Sequence, residues 1–164
     1  MKYAGLIKND IAAAPGMCVT FFTQGCPHHC PGCHNPETWD LSGGIEFTAS
    51  VLDEVIAALS ANGISRNLCI MGGEPLCPEN EFITRLLIAE VRQRFPNILI
   101  YVWTGYQIED IVSRNDFIKY IFKNIDYLID GPYIEELRDT TIPMCGSRNQ
   151  RVINMKEFDI SKKI

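Results

Sequence analysis

The chain has 164 residues, enough for one domain whose core needs no disulfide staples. Apolar residues make up 46% and charged residues 21%, an ordinary globular balance, and the formal net charge is −5, from 15 basic and 20 acidic residues. That sign argues against broad nucleic-acid binding. With no apolar run of about 20 residues and no signal-peptide pattern, the expected location is the cytoplasm, away from membranes.

Taken in chain order, residues 18–23 (CVTFFT) are β-branched and aromatic and read as a strand that ends at a cysteine-rich loop. Residues 50–62 carry Leu52, Val55, Ile56 and Leu59 at helical spacing, with Thr48 or Ser50 as cap and Gly63 as stop. Residues 67–71 (NLCIM) read as a buried strand running into Gly72-Gly73-Glu74-Pro75. Pro78 opens a second helix whose apolar face is Phe82, Ile83, Leu86, Leu87 and Val91, and Pro96 ends it. Residues 98–103 (ILIYVW) are a strand before Thr104-Gly105, 107–123 are helical with a break near Asn115, and 126–130 (DYLID) are a strand before Gly131-Pro132. A short strand near 151–154 closes the chain.

Strands alternating with helices predict an α/β fold in a single domain over 1–164, with a mostly parallel sheet and right-handed crossovers. Too few strands are visible for a closed eight-stranded barrel, so the expectation is an open partial (β/α) barrel. Active sites of such sheets lie at the carboxyl ends of the strands. Four features sit there: the cysteine loop, Gly72-Gly73-Glu74-Pro75, Thr104-Gly105 and Asp130-Gly131.

The loop reads TQGCPHHCPGCHNPETW over residues 23–39. Of seven cysteines, Cys26, Cys30 and Cys33 cluster here, while Cys18, Cys69, Cys77 and Cys145 are scattered and read as small buried apolar residues. In a cytosolic protein clustered thiols are read as metal-binding or catalytic. Offsets of four and three would line one helix face, but Pro27, Pro31 and Gly32 oppose a regular helix, so the segment is a loop wrapped around a metal. Zinc prefers four ligands and needs His28, His29 or His34 as the fourth; a four-iron cluster held by three thiolates keeps one iron open. Spacing alone does not choose between them.

The CxxxCxxC loop after one strand and IMGGEPL at 70–76 after the next together resemble the two signatures of the radical S-adenosylmethionine (SAM) enzymes. GCPHHCPGCHNPETW, GGEPL, VWTGYQIEDI, LIDGPY and GSRNQR follow one another in an order and spacing similar to the glycyl-radical activases of anaerobic ribonucleoside-triphosphate reductase. That resemblance covers nearly the whole chain. It implies a radical SAM type of partial barrel, a cluster loop at 24–36 and a SAM-binding turn at 71–75. It implies one [4Fe-4S] cluster per chain on Cys26, Cys30 and Cys33, and SAM held near Gly72, Gly73, Glu74, Thr104 and Asp130, with His29 or His34 packing on the adenine. The implied reaction is reductive cleavage of SAM and formation of a glycyl radical on the large catalytic subunit of the reductase. The implied electron donor is flavodoxin-like or another low-potential protein, and no residue is assigned acid–base catalysis.

Gly72 and Gly73 let backbone approach SAM closely, and Glu74 is expected to set a carboxylate beside its ammonium group. His28 is expected to be a loop residue, Trp39 and Trp103 core anchors, and Gly146, Ser147, Asn149, Gln150 and Arg151 a polar late loop on the SAM or partner side. Two positions depart from the family pattern: Cys18 and Cys145 stand where arginines are usual, and Ala13-Ala14 replaces an Asp/Asn-Gly pair.

Overall fold

Apolar residues alternate along four central segments, and in the computed structural model, which describes residues 1–159, those segments are neighbouring strands of one sheet. In chain order the elements are β1 (Lys2–Asp10), β2 (Cys18–Thr23), β3 (Ile45–Glu46), α1 (Ala49–Leu59), β4 (Asn67–Gly72), α2 (Glu81–Arg94), β5 (Ile100–Trp103), α3 (Ile108–Ile111), α4 (Asp116–Asn124), β6 (Tyr127–Asp130) and β7 (Arg151–Asn154). Single 3₁₀ turns form at Pro36–Thr38, Ala61–Gly63 and Glu135–Leu137. The strand order is β3-β1-β2-β4-β5-β6-β7.

This sheet corrects the expected open partial barrel with a mostly parallel sheet. The pairings β2·β4, β4·β5 and β5·β6 are parallel, but β1·β2, β1·β3 and β6·β7 are antiparallel, so the seven-stranded sheet is mixed and not barrel-like. A (β/α) barrel grows by adding strand–helix units at the flanks of its parallel run. Here β1 returns beside β2 and β7 beside β6 without an intervening α-helix, and both flanks are taken.

The alternation sorts two apolar layers. Val19, Phe21, Leu68, Ile70, Ile100, Val102 and Leu128 point to one face, where they meet Val55 and Leu59 of α1, Ile83, Leu87, Ile88 and Val91 of α2, and Ile118, Ile121 and Phe122 of α4. Removing each large side chain of this kind from water contributes about 1.5–3 kcal/mol. The opposite face is a smaller cluster of Ala14, Cys18, Cys69, Tyr101, Ile129 and Cys145. All four scattered cysteines are buried, and three of them, Cys18, Cys69 and Cys145, lie in this second layer.

The helices start and stop for local reasons. Thr48 occupies the N-cap of α1 without a side-chain hydrogen bond, and the helix ends at Leu59, with the Ala61–Gly63 turn covering the rest of the expected span. Asn115 is extended, and its side chain accepts the Ile118 N–H, which is why the 107–123 segment breaks there and restarts as α4. Phe82, on the expected apolar face of α2, is 43% exposed and packs edge-on against Phe117, while Ile88, outside that expected set, is fully buried. Among the described residues no helix is long and apolar enough to cross a membrane.

Candidate functional site

The carboxyl ends of β2, β4, β5 and β6 lie along one rim, and the segments that follow them enclose a cavity of about 220 Å³. Its walls include Cys26, Cys30 and Cys33 from the first, Gly72, Gly73 and Glu74 from the second, Thr104 and Gly105 from the third, and Gly131 from the fourth. The four strand-end features do converge on one place.

The cysteine loop is rooted by its backbone. The Gly25 N–H donates to the Thr38 carbonyl at 2.7 Å and the Cys26 N–H to the Trp39 carbonyl at 3.1 Å, so the returning segment lies beside the departing one. The Asn80 amide donates to the carbonyls of Gln24, Gly25 and Glu74 at 2.9, 3.2 and 3.0 Å, pinning both motifs to the start of α2. Gly73 presses on Gly25 so closely that a Cβ at 73 would lie 2.4 Å from the Gly25 carbonyl oxygen. Gly72 has φ of +102°, a conformation open to glycine at little cost.

Glu74 is 1% exposed, and both its oxygens are engaged. One accepts from the Leu76 N–H at 2.9 Å and the Thr104 hydroxyl at 2.8 Å. The other accepts from the Gly105 N–H at 2.7 Å and lies 2.8 Å from His28 Nε2. A carboxylate has about four acceptor positions, so this one is filled from within the chain. Within the chain this carboxylate ties the turn after β4 to the segments that follow β2 and β5, at the cavity wall.

The other candidates separate. Thr104 is 4% exposed and serves Glu74. Asp130 is fully buried and does not line the cavity: its carboxylate accepts the Ile108 N–H at 2.9 Å and is gripped by the Arg151 guanidinium, which also reaches Glu109. His29 is exposed, has φ of +47° and meets the Trp39 ring; His34 is exposed on the cavity wall beside Tyr133. From the late loop, Gly146 and Gln150 line the cavity, and Gln150 holds the loop by accepting the Gly146 N–H and donating to the Gly131 carbonyl.

Trp103, Tyr133 and Met144 are lining residues that sequence reasoning gave no role at the site. The sequence reads Trp103 as a core anchor, yet its indole N–H donates to the Met144 carbonyl at 2.8 Å along the cavity wall. Its place directly before Thr104 was the available signal.

All three loop thiols are free and line the same cavity. Burial lifts the Cys26 thiol to about 11 and raises the Cys30 thiol, so both are protonated at neutral pH until a metal displaces the proton. Among the described residues no three Cys, His, Asp or Glu side chains are already drawn together as a metal-holding group. The donor chemistry nonetheless fits iron and sulfide: soft thiols on a loop of three, beside backbone kept bare by Gly72 and Gly73.

Residues 12–153 match a family model described as a 4Fe-4S single cluster domain. The cysteine-lined cavity and that match define the class: a single-cluster iron–sulfur domain. Similar proteins are the anaerobic ribonucleoside-triphosphate reductase-activating proteins of Salmonella typhi and Escherichia coli K12, each 34% identical over 157 residues that cover 95% of this chain and 100% of theirs. The protein of that name from Enterobacteria phage T4 is 37% identical over 152 residues, 93% of both chains. The chain belongs to the family of anaerobic ribonucleoside-triphosphate reductase-activating proteins.

Proposed function

We propose that this protein is a cytoplasmic radical SAM activase for anaerobic ribonucleoside-triphosphate reductase. Cys26, Cys30 and Cys33 would hold one [4Fe-4S] cluster. When bound, the cluster and SAM would supply reductive sulfonium cleavage and the abstraction of a hydrogen atom from a glycine of the large reductase subunit. The chain's own residues bind, orient and shield. Gly72 and Gly73 offer bare backbone to the ligand's amino group, with Glu74 and Thr104 fixing that turn from below. Trp103, Met144 and Tyr133 give the cavity an apolar outer wall, and the glycine-bearing segment of the partner closes its mouth. A flavodoxin-like or other low-potential protein supplies the electron.

The observation that carries this reading is the meeting of the cysteine loop and the Gly72-Gly73-Glu74 turn around one cavity, from residues 46 apart in the chain. His28, the histidine of the loop that turns inward, is engaged by Glu74, which favours a cluster held by the three thiols with one iron left for a ligand over a closed zinc site. The test is anaerobic reconstitution with iron and sulfide, then reduction and mixing with SAM and the reductase subunit. The expected result is a brown protein and a glycyl doublet on the reductase in electron paramagnetic resonance. Stoichiometric zinc with no brown chromophore, or a doublet only on a different partner, rejects it.

A further inference from the structure

We infer that His28 is a positioning residue that clamps the first half of the cysteine loop to the sheet, and that this clamp governs how firmly iron is retained. The inference rests on the reading above, in which the three loop thiols hold the cluster. Sequence spacing offers three histidines to the metal on equal terms. The structure separates them. His29 and His34 are exposed, against Trp39 and Tyr133, while His28 turns inward, its side chain 18% exposed.

Three neighbours fix that ring. Nε2 lies 2.8 Å from Glu74 Oε2. Glu74 cannot follow the loop if it moves, because Leu76, Thr104 and Gly105 hold its carboxylate from the ends of β4 and β5. The ring meets Tyr106 edge-on at 4.5 Å between centroids. It also occupies the space that a side chain at 105 would need: a Cβ on Gly105 would lie 2.5 Å from Cδ2 and 2.7 Å from Nε2 of His28. The imidazole thus sits in a fitted slot with a fixed acceptor at its end.

The loop needs such a tie. Pro27 and Pro31 have no N–H to donate, and the Cys33 N–H is spent on the local Cys30 carbonyl. The His28 side chain is a link of residues 27–32 to residues 46 positions away, and it lies midway between Cys26 and Cys30. Holding residue 28 fixes where both thiols stand. Groups that orient metal ligands without touching the metal typically alter metal retention about 10–100-fold when removed.

The experiment compares His28→Ala and His28→Gln with the parent, since the Gln amide can place a donor near the Nε2 position. Iron release to a chelator is followed after anaerobic reconstitution. We expect His28→Ala to release iron about tenfold faster or more, and His28→Gln to stay within about twofold of the parent. Alkylation of the iron-free protein is read in parallel, residue by residue. We expect Cys26 and Cys30 to react faster in His28→Ala while buried Cys77 does not, with urea unfolding of the iron-free variants close to the parent. Iron release at the parental rate from His28→Ala overturns the inference. So does His28→Gln losing iron as fast as His28→Ala, which would make the imidazole a ligand instead of a tie. If the parent takes up no cluster, the functional reading fails, and the alkylation arm still decides whether His28 positions the thiols.

Discussion

Two buried carboxylates at opposite ends of the parallel strands, Asp126 and Glu74, are satisfied in opposite ways. On the rim away from the cavity, Asp126 is met by permanent charge: Arg92 at 2.6 Å, Lys156 at 3.1 Å and the Ile100 N–H at 2.9 Å. Arg92 also donates to the carbonyls of Asn124 and Ile98, joining α2 to the starts of β5 and β6. On the cavity rim, Glu74 is met by two backbone N–H groups, a hydroxyl and an imidazole, with no lysine or arginine among the donors. The far rim spends its charges on holding elements together. On the cavity rim the Arg151 guanidinium is taken up by Asp130 and Glu109, and among the described residues no lysine or arginine lines the cavity itself.

Four substitutions and one titration break or sharpen that contrast. The largest effect is expected from Cys30→Ala, which should abolish iron and sulfide uptake in reconstitution while shifting urea unfolding of the iron-free protein by less than about 1 kcal/mol. Retained cluster absorbance in that variant would contradict the ligand assignment. Asp126→Ala should do the reverse, costing about 3 kcal/mol in urea unfolding because Arg92 and the Ile100 N–H lose their partner, with iron uptake unchanged. Glu74→Gln places an amide N–H₂ against N–H and O–H donors, and should cost about 2 kcal/mol in the same measurement.

The acid titration follows from Asp126. Burial pushes its carboxyl up, but the Arg92 hydrogen bond, the Ile100 N–H, the Arg92 charge and Lys156 outweigh it and hold it below the ordinary range. A depressed folded value contributes stability that is present above the unfolded value, about 4, and is lost as pH falls through the folded one. Urea midpoints should therefore drop below about pH 4, and Asp126→Asn should flatten part of that drop. Asp10, lowered on balance by Thr20 and the N–H groups of Ala12 and Ala13 against a larger burial effect, accounts for another part. The smallest change is Cys69→Ala, which trims one buried atom, costing about 1 kcal/mol and leaving iron uptake as it was.

Much of the central layer could be read from residue order, because β2, β4, β5 and β6 alternate and their intervening helices carry spaced apolar residues. The flanks could not. β1 mixes Gly5, Lys8, Asn9 and Asp10 into a half-exposed strand, so it has no clean two-residue period, and nothing in the β7 segment states that it pairs antiparallel. Those two strands turn an expected partial barrel into a mixed sheet. At the cavity, the convergence of four strand ends followed from topology alone. The inward turn of His28 did not, since its acceptor lies 46 residues away and its two histidine neighbours in sequence look chemically equivalent. Asp130 resembles Glu74 in its strand-end position, but its carboxylate is held away from the cavity wall by Arg151 from β7 and the Ile108 N–H.

The backbone contact between Gly73 and Gly25 carries a consequence for variation in this protein. When a new side chain strikes another side chain, a second substitution can trim the obstacle. At position 73 the obstacle is a peptide carbonyl, and that same oxygen already accepts from the Glu74 N–H and the Asn80 amide. No replacement elsewhere can shorten a main chain. A saturation library at 73 should thus return glycine alone, whatever other positions are randomised with it.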